Sequence, residues 1–195
     1  MAASKSKILT SDTMFTGSVF SVRRERIIEP SGLETTKEVV IHPGSVVVLP
    51  VFPNGDILLV RQYRHSVGCY LWEIVAGSME PRESPLAGAR RELQEETGYT
   101  ARRWRKLMDI FPTPGFLSEH MVVFACEGLT PGPPRPDADE QIRTRQFPLR
   151  TLERMMRTGR LRDTKTIASI LYYSRFVRRE IPARCHSAPH LRAKS

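Results

Sequence analysis

Apolar and polar positions along the chain change period several times, and each change predicts an element. Residues 17–44, GSVFSVRRERIIEPSGLETTKEVVIHPG, read as two strands around a turn at Pro30-Ser31-Gly32. In SVVVLPVFPNGDILLVRQYR, residues 45–64, two β-branched, apolar runs flank Pro53-Asn54-Gly55-Asp56. The Asn-Gly step there is a strong short-range signal for a hairpin. YLWEIVA, residues 70–76, predicts another strand that ends at Gly77. The period then lengthens to that of a helix over residues 84–97, with Ser84 as N-cap, Pro85 at the first helical position and Gly98 just past the end. Leu86, Ala89, Leu93 and Thr97 fall on its core-facing side.

Further strands are predicted at about residues 104–111, 121–127 and 142–147. Between the last two lies TPGPPRPDADEQ, a proline-rich, acidic loop that suits neither helix nor strand. Two helices follow. One is LRTLERMMRTG, stopped by Gly159, and the other is DTKTIASILYYSRFVRR, with Asp163 as a cap. Many strands, one mid-chain helix and a closing helix predict an α/β sandwich with a mixed sheet. No internal repeat interrupts this pattern.

Composition narrows the picture mainly by exclusion. A chain of 195 residues with 40% hydrophobic and 26% charged residues is long enough for one domain with a sizeable core. No apolar run approaches the roughly 18 residues of a membrane helix, and MAASKSKILTSD has no apolar signal region, so a membrane or secreted destination is not expected. Cys69, Cys126 and Cys185 are far apart and form no CxxC pair, which argues for reduced thiols in a cytoplasmic setting. The net charge of +9 raises the question of nucleic acid. Residues 178–195 carry five Lys/Arg against one Glu, and their Pro, Ser and Ala content predicts a solvated basic tail. The body has no basic stripe interleaved with aromatics, so no nucleic-acid partner is expected. The expected organisation is an N-terminal strand extension over residues 1–42, a main domain over 43–177 and the tail over 178–195.

One segment runs against the basic balance. In AGSMEPRESPLAGARRELQEETG, residues 76–98, Glu92, Glu95 and Glu96 stand at i, i+3 and i+4 of the predicted helix. Like charges at this spacing cost an isolated helix roughly 0.2–0.5 kcal/mol per pair. Three hard oxygen donors in a small volume suit Mg2+ or Mn2+, which prefer carboxylates and work beside substrate phosphates. A solvated acidic face paired with Arg90 and Arg91 is the other reading of the same spacing.

The full pattern is Gly77, five residues, Glu83, seven residues, then Arg91-Glu92-Leu93-Gln94-Glu95-Glu96-Thr97-Gly98-Tyr99. It resembles the signature of the Nudix hydrolases, GX5EX7REUXEEXGU, with every fixed letter present and Tyr99 where a bulky aliphatic residue is usual. The resemblance implies a metal-binding loop–helix–loop in a Nudix α/β/α sandwich, and hydrolysis of a nucleoside diphosphate linked to another moiety. It also implies Glu92 and Glu96 as principal metal ligands, Glu95 as a further ligand or close neighbour, and the backbone carbonyl of Ala76 as completing the site. Glu83 and Arg91 would brace the loop, and Gly77 would let the strand turn sharply into it.

The flanks resemble the ADP-ribose pyrophosphatase subgroup. Pro114, in FPTPGFLSEH, stands sixteen residues beyond Gly98. VRQYRHSVGCYLWEIVAG and GRLRDTKTIASILYY look like the subgroup's strand-and-loop and closing helix. The likeness covers residues 15–177. It implies that Arg64 contacts the diphosphate, for which a guanidinium is suited by its bidentate, charge-assisted hydrogen bonds. Arg61, three residues earlier, lies on the opposite strand face, so one of the two is expected to point at substrate. Lys37 and Glu38 match a region that helps hold the adenosine end. A homodimer that exchanges N-terminal strands is also implied.

On this resemblance the substrate is ADP-ribose and the products are AMP and ribose 5-phosphate, with Mg2+ (or Mn2+) lowering the pKa of a water that a carboxylate deprotonates or orients. Another nucleoside diphosphate sugar, or a catalytically silent nucleotide sensor, are the alternatives. The base is the point of departure from the subgroup. Its members carry E-x-E before the strand that here begins near Ile142, whereas this chain has Ala138 at the first position and Glu140 at the second. Glu140 is the first candidate, Glu119 the second and Asp139 the third.

Overall fold

The computed structural model describes residues 5–135 and 141–178. Three N-terminal strands, β1 (Lys7–Thr16), β2 (Ser21–Ile28) and β3 (Glu34–Ile41), form an antiparallel sheet of their own in the order β1-β2-β3. Residues 17–44 predicted β2 and β3; β1 is an additional finding. Its alternation is too weak to read, because Ile8, Met14 and Phe15 are all exposed.

The second sheet contains β4 (Ser45–Val51), β5 (Ile57–Arg64), β6 (Cys69–Glu73), β7 (Val75–Ser78), β8 (Thr100–Ile110), β9 (Met121–Thr130) and β10 (Arg143–Phe147). Its strand order is β10-β5-β4-β9-β8, with β6 against β5 and β7 against β4. The β4–β9 pair is parallel and the rest antiparallel, so the sheet is mixed, as expected. The β4–β5 turn forms where the Asn-Gly signal stands. Gly55 has φ +83°, and the Asn54 side chain accepts from the Asp56 N–H at 3.0 Å.

Three helices complete a sandwich. α1 (Pro85–Thr97) packs Ala89 and Leu93 against Val46, Val48, Val60 and Val122 on one face. On the other face α2 (Leu149–Arg157) and α3 (Thr164–Tyr172) bury Leu152 and Ile170 against Val47, Leu49 and Leu59. With helices on both sides, β4 is buried along its whole length, which is why it reads as one apolar run. Each fully buried Leu or Ile there contributes about 1.5–3 kcal/mol relative to exposure. α3 passes into a wider turn over Tyr173–Val177, so the predicted closing helix is regular only in its first part.

The predicted strand at 70–76 is divided. β6 pairs with β5 and β7 with β4, and the change of partner falls at Ile74. The division puts Glu73 at the end of one strand and Ala76 and Gly77 within the next. The N-terminal sheet joins this body through Val40, which donates to the Phe116 carbonyl at 2.8 Å and accepts from the Ser118 N–H at 2.9 Å. No helix among the described residues is long and apolar enough to cross a membrane.

Candidate functional site

A cleft of about 1100 Å3 opens over β7 and the start of α1. Ser18 and Val19, from the β1–β2 connection, and His42 and Pro43, after β3, line one side. The remaining lining is mostly charged and includes Arg82 in the loop before α1. Glu80, Glu83, Glu92 and Glu95 make an acidic wall with Arg91 among them, while Arg64 and Lys165 stand together and Glu119 completes the lining from the turn before β9.

The helix that presents the acidic wall is locally encoded. The Ser84 hydroxyl accepts from the Ala87 N–H at 3.3 Å, Pro85 occupies the first turn, and Gly98 ends the helix at φ +74° with its N–H on the Gln94 carbonyl at 2.8 Å. Glu96, on the inner edge, is only 4% exposed. The crowding of carboxylates is relieved in the protein by Arg91. Its Nε and Nη2 donate to the two oxygens of Glu83 at 3.0 Å each, Nη2 also donates to the Ser78 carbonyl, and Nη1 donates to Glu92 at 2.7 Å and Glu95 at 2.9 Å. Arg90, the other candidate, is exposed. The hydrogen bonds to Glu83 chiefly, with those to Glu92 and Glu95, raise the Arg91 pKa against the opposing effect of burial, and the same contact lowers that of Glu83. Arg91 and Glu83 thus tie the loop to the helix.

Gly77 has a different reason to be glycine from the one expected. It lies inside β7 and is not among the glycines of positive φ, so no sharp turn requires it. A β-carbon there would stand 2.0 Å from the Glu92 carboxyl carbon. The missing side chain is the space in which the Glu92 carboxylate sits.

Arg64 and Arg61 separate as the strand alternation requires. Arg64 reaches the cleft; Arg61 turns to the other face and stacks over the Tyr70 ring, 4.6 Å from its centroid. Arg64 makes a two-pronged contact with Glu73, Nε and Nη2 each donating at 2.8 Å. Burial is the largest influence on Glu73 and acts to raise its pKa. The hydrogen bond from Arg64 and the charge of Lys165 together outweigh it and hold the carboxyl below its ordinary range. Glu119 accepts from the Ser45 hydroxyl and lies 3.8 Å from His42 Nδ1. Lys37 and Glu38 do not line this cleft. They sit on β3, paired with Glu29 at 3.2 Å and Arg24 at 2.8 Å. Glu140, Asp139 and Ala138 lie outside the described residues. Arg135, the last described residue before them, donates its N–H to the Glu95 backbone carbonyl on α1 at 2.9 Å.

Sequence reasoning missed Glu73 and Lys165. The signal for Glu73 was one acid in the otherwise apolar run YLWEIVA; Lys165 carried none.

As a donor set the acidic wall fits a hard divalent cation, since it offers carboxylate oxygens and a backbone carbonyl. Among the described residues no three acidic, His or Cys side chains already converge on one point, and Arg91 Nη1 occupies the space between Glu92 and Glu95.

Comparison with known proteins agrees with this architecture. The family model described as NUDIX domain matches residues 41–169. An ADP-ribose pyrophosphatase of Mycobacterium tuberculosis (strain ATCC 25618 / H37Rv) is 36% identical over 174 residues, covering 88% of this chain and 84% of the relative. An ADP-ribose pyrophosphatase of Bacillus subtilis (strain 168) is 33% identical over 174 residues, with 88% and 94% covered. A solved structure titled "Crystal structure of ADP compounds hydrolase" superposes with a TM-score of 0.79 at 20% identity, covering 92% of this chain and 98% of that one, which shows a shared fold.

Proposed function

The chain belongs to the Nudix family and is a Nudix hydrolase, and from that premise we propose that it hydrolyses the pyrophosphate bond of ADP-ribose to AMP and ribose 5-phosphate. The observation that carries the reading is a cleft lined both by carboxylates (Glu80, Glu83, Glu92, Glu95) and by cations, Arg64 and Lys165 among them. That combination suits a diphosphate brought in with divalent cations. The two ADP-ribose pyrophosphatase relatives, similar over most of the chain, support the ADP-ribosyl substrate.

Glu92, Glu96 and Glu95 would hold Mg2+, or Mn2+, with the Ala76 carbonyl. When bound, the ion supplies positive charge at the diphosphate and makes the attacking water easier to deprotonate. The chain's own residues do the rest. Arg64 orients the diphosphate by charge-assisted hydrogen bonds. Arg91 holds Glu83 to the helix so that the loop keeps its shape. A carboxylate takes the proton of the attacking water, and Glu140 is the first candidate, from its match to the second glutamate of the subgroup's E-x-E. Glu119 is the second, and its engagement with Ser45 makes it less free to accept a proton. Asp139 is the third.

We also propose a cytoplasmic homodimer joined through the N-terminal sheet. Ile8, Met14, Phe15, Val19, Phe20 and Leu33 are exposed on or beside that sheet, apolar side chains that a second copy could cover. In a second chain, Lys37 and Glu38 would gain a route to the neighbouring adenosine end. The test of the substrate is a panel of ADP-ribose, ADP-glucose, GDP-mannose, NADH and a nucleoside triphosphate with Mg2+ or Mn2+, read by phosphate release after phosphatase coupling. Turnover highest for ADP-ribose is expected. A preference for another sugar would replace the substrate, and no turnover of any would support the silent sensor.

A further inference from the structure

On the face of the second sheet that α2 covers, arginines and aromatic rings gather around a cavity of about 330 Å3. Trp72 of β6 and Phe147 of β10 meet there edge to face, with ring centroids 4.9 Å apart. Arg145 comes from β10, Arg154 from α2 and Arg160 from the turn after it. Gly159, at φ +66°, ends that helix and reverses the chain, and the Arg160 N–H donates back to the Met155 carbonyl at 2.8 Å. The reversal sets Arg160 at the same cavity as Arg154.

Among the described residues no carboxylate lines this cavity. Elsewhere on the surface arginines find acids: Arg24 pairs with Glu38, Arg26 with Glu34 and Arg103 with Glu127. Arg145, Arg154 and Arg160 form no ion pair among the described residues, although Arg145 lies over the Phe147 ring, 5.1 Å from its centroid. Positive charge also continues along β5, where Arg61 stands opposite Trp72 on one side and Arg143 on the other. Like charges directly across a strand pair destabilise it. The helix dipole accounts for Arg154 in the last turn of α2. It accounts neither for Arg145, on a strand, nor for a lining without an acid.

These features fit one class of ligand. Guanidinium groups converging from three elements suit a phosphate, which takes charge-assisted, two-pronged hydrogen bonds. The half-buried indole of Trp72 suits a flat base, which stacks on aromatic side chains without regard to its identity. A volume of about 330 Å3 lies at the small end of ligand sites, roughly 300–1,000 Å3. It holds one nucleotide, whereas a single strand needs a groove of about four or more. We propose that this cavity is a second ligand site, separate from the carboxylate cleft, which takes a mononucleotide with its base on Trp72 and its phosphate among Arg145, Arg154 and Arg160.

The site carries its own reporter. The chain has two tryptophans, and the other, Trp104, packs on Phe124 on the α1 side of the sheet. In Trp104→Phe, Trp72 is therefore the one indole left. That protein is titrated in EDTA with AMP, inorganic phosphate and adenosine, reading Trp72 fluorescence. The titration is repeated with Arg154→Gln, with Arg160→Gln and with Arg64→Gln, whose side chain lies in the cleft. Circular dichroism checks the fold, and the protein with both tryptophans carries the same series should Trp104→Phe fold poorly.

AMP is expected to change the fluorescence saturably, and phosphate to bind about tenfold more weakly for want of a stacked base. Arg154→Gln and Arg160→Gln should each weaken AMP by about ten- to a hundredfold, the range for a hydrogen bond to a charged group. Arg64→Gln should leave it unchanged. No response to AMP, or a response that both Arg154→Gln and Arg160→Gln keep, would overturn the site. A response lost in Arg64→Gln would belong to the cleft and overturn it as well. Phosphate binding as tightly as AMP would overturn the nucleotide assignment.

Discussion

Gly77→Ala isolates the geometry of one carboxylate without touching its chemistry. A β-carbon at this position would lie 2.0 Å from the Glu92 carboxyl carbon and Oε1, and 2.3 Å from Oε2. Ordinary contact begins at 3.4 Å, so the carboxylate must retreat by 3.4 − 2.0, or 1.4 Å. The β7 backbone pairs with β4 at Val46 and has no reason to yield instead. Misplacement of a catalytic group by about 1 Å costs on the order of 10²-fold in rate, or about 2.7 kcal/mol at the transition state. Stability should move the other way. Gly77 is not at positive φ, and at such sites Gly→Ala stabilises by about 0.4–1 kcal/mol through the unfolded chain. The assay is kcat for ADP-ribose across a Mg2+ titration, with the melting temperature of the same sample. A fall of about a hundredfold in kcat, a higher Mg2+ requirement and an unchanged or raised Tm are expected. Near-normal kcat at wild-type Mg2+ would show that Glu92 does not need that space. A drop in Tm that parallels the loss of rate would show that Gly77 serves the fold and not the site.

Glu96→Gln removes a ligand charge at nearly constant shape and should all but abolish turnover while circular dichroism stays native; full activity at saturating Mg2+ would refute its role. Glu140→Gln should lower kcat by about 10²–10⁴-fold with little change in substrate affinity, and Glu119→Gln should cost less; near-normal kcat in the first with a dead second would move the base to Glu119. Glu73→Gln leaves Arg64 and Lys165 without their shared counterion and should destabilise the protein at pH 7 in urea unfolding. The loss should stay under roughly 3–5 kcal/mol, the cost of an uncompensated buried charge, because Lys165 keeps Asp163 and Arg64 reaches solvent. Because the Glu73 pKa is lowered on folding, its stabilisation is complete above the ordinary glutamate pKa and is lost as pH falls through the lower folded value. The gap between wild type and Glu73→Gln should therefore close on acidification below about pH 4, and a gap that persists there would contradict the pairing. Sedimentation should give a dimer that Phe15→Glu dissociates, and an active species at the monomer mass of 22.2 kDa would refute the N-terminal interface.

Whatever rests on neighbours along the chain could be read from residue order. The β4–β5 turn follows from Asn54-Gly55. The bounds of α1 follow from Ser84, Pro85 and Gly98, and the separation of Arg64 from Arg61 follows from strand alternation. The signature from Gly77 to Tyr99 identified the family for the same reason, since its residues share one loop and one helix. Contacts between distant segments came from the packing of the folded chain. Glu73 meets Lys165 across a separation of 92 residues, and Ser45 meets Glu119 across 74. No local pattern encodes either pair, because each depends on which strands become neighbours in the mixed sheet. Strand β1 was hidden because its apolar residues are exposed, and burial is what gives a strand its readable alternation. The purpose of Gly77 was hidden too. Its partner is the Glu92 side chain fifteen positions later, brought over it only when α1 packs on β7.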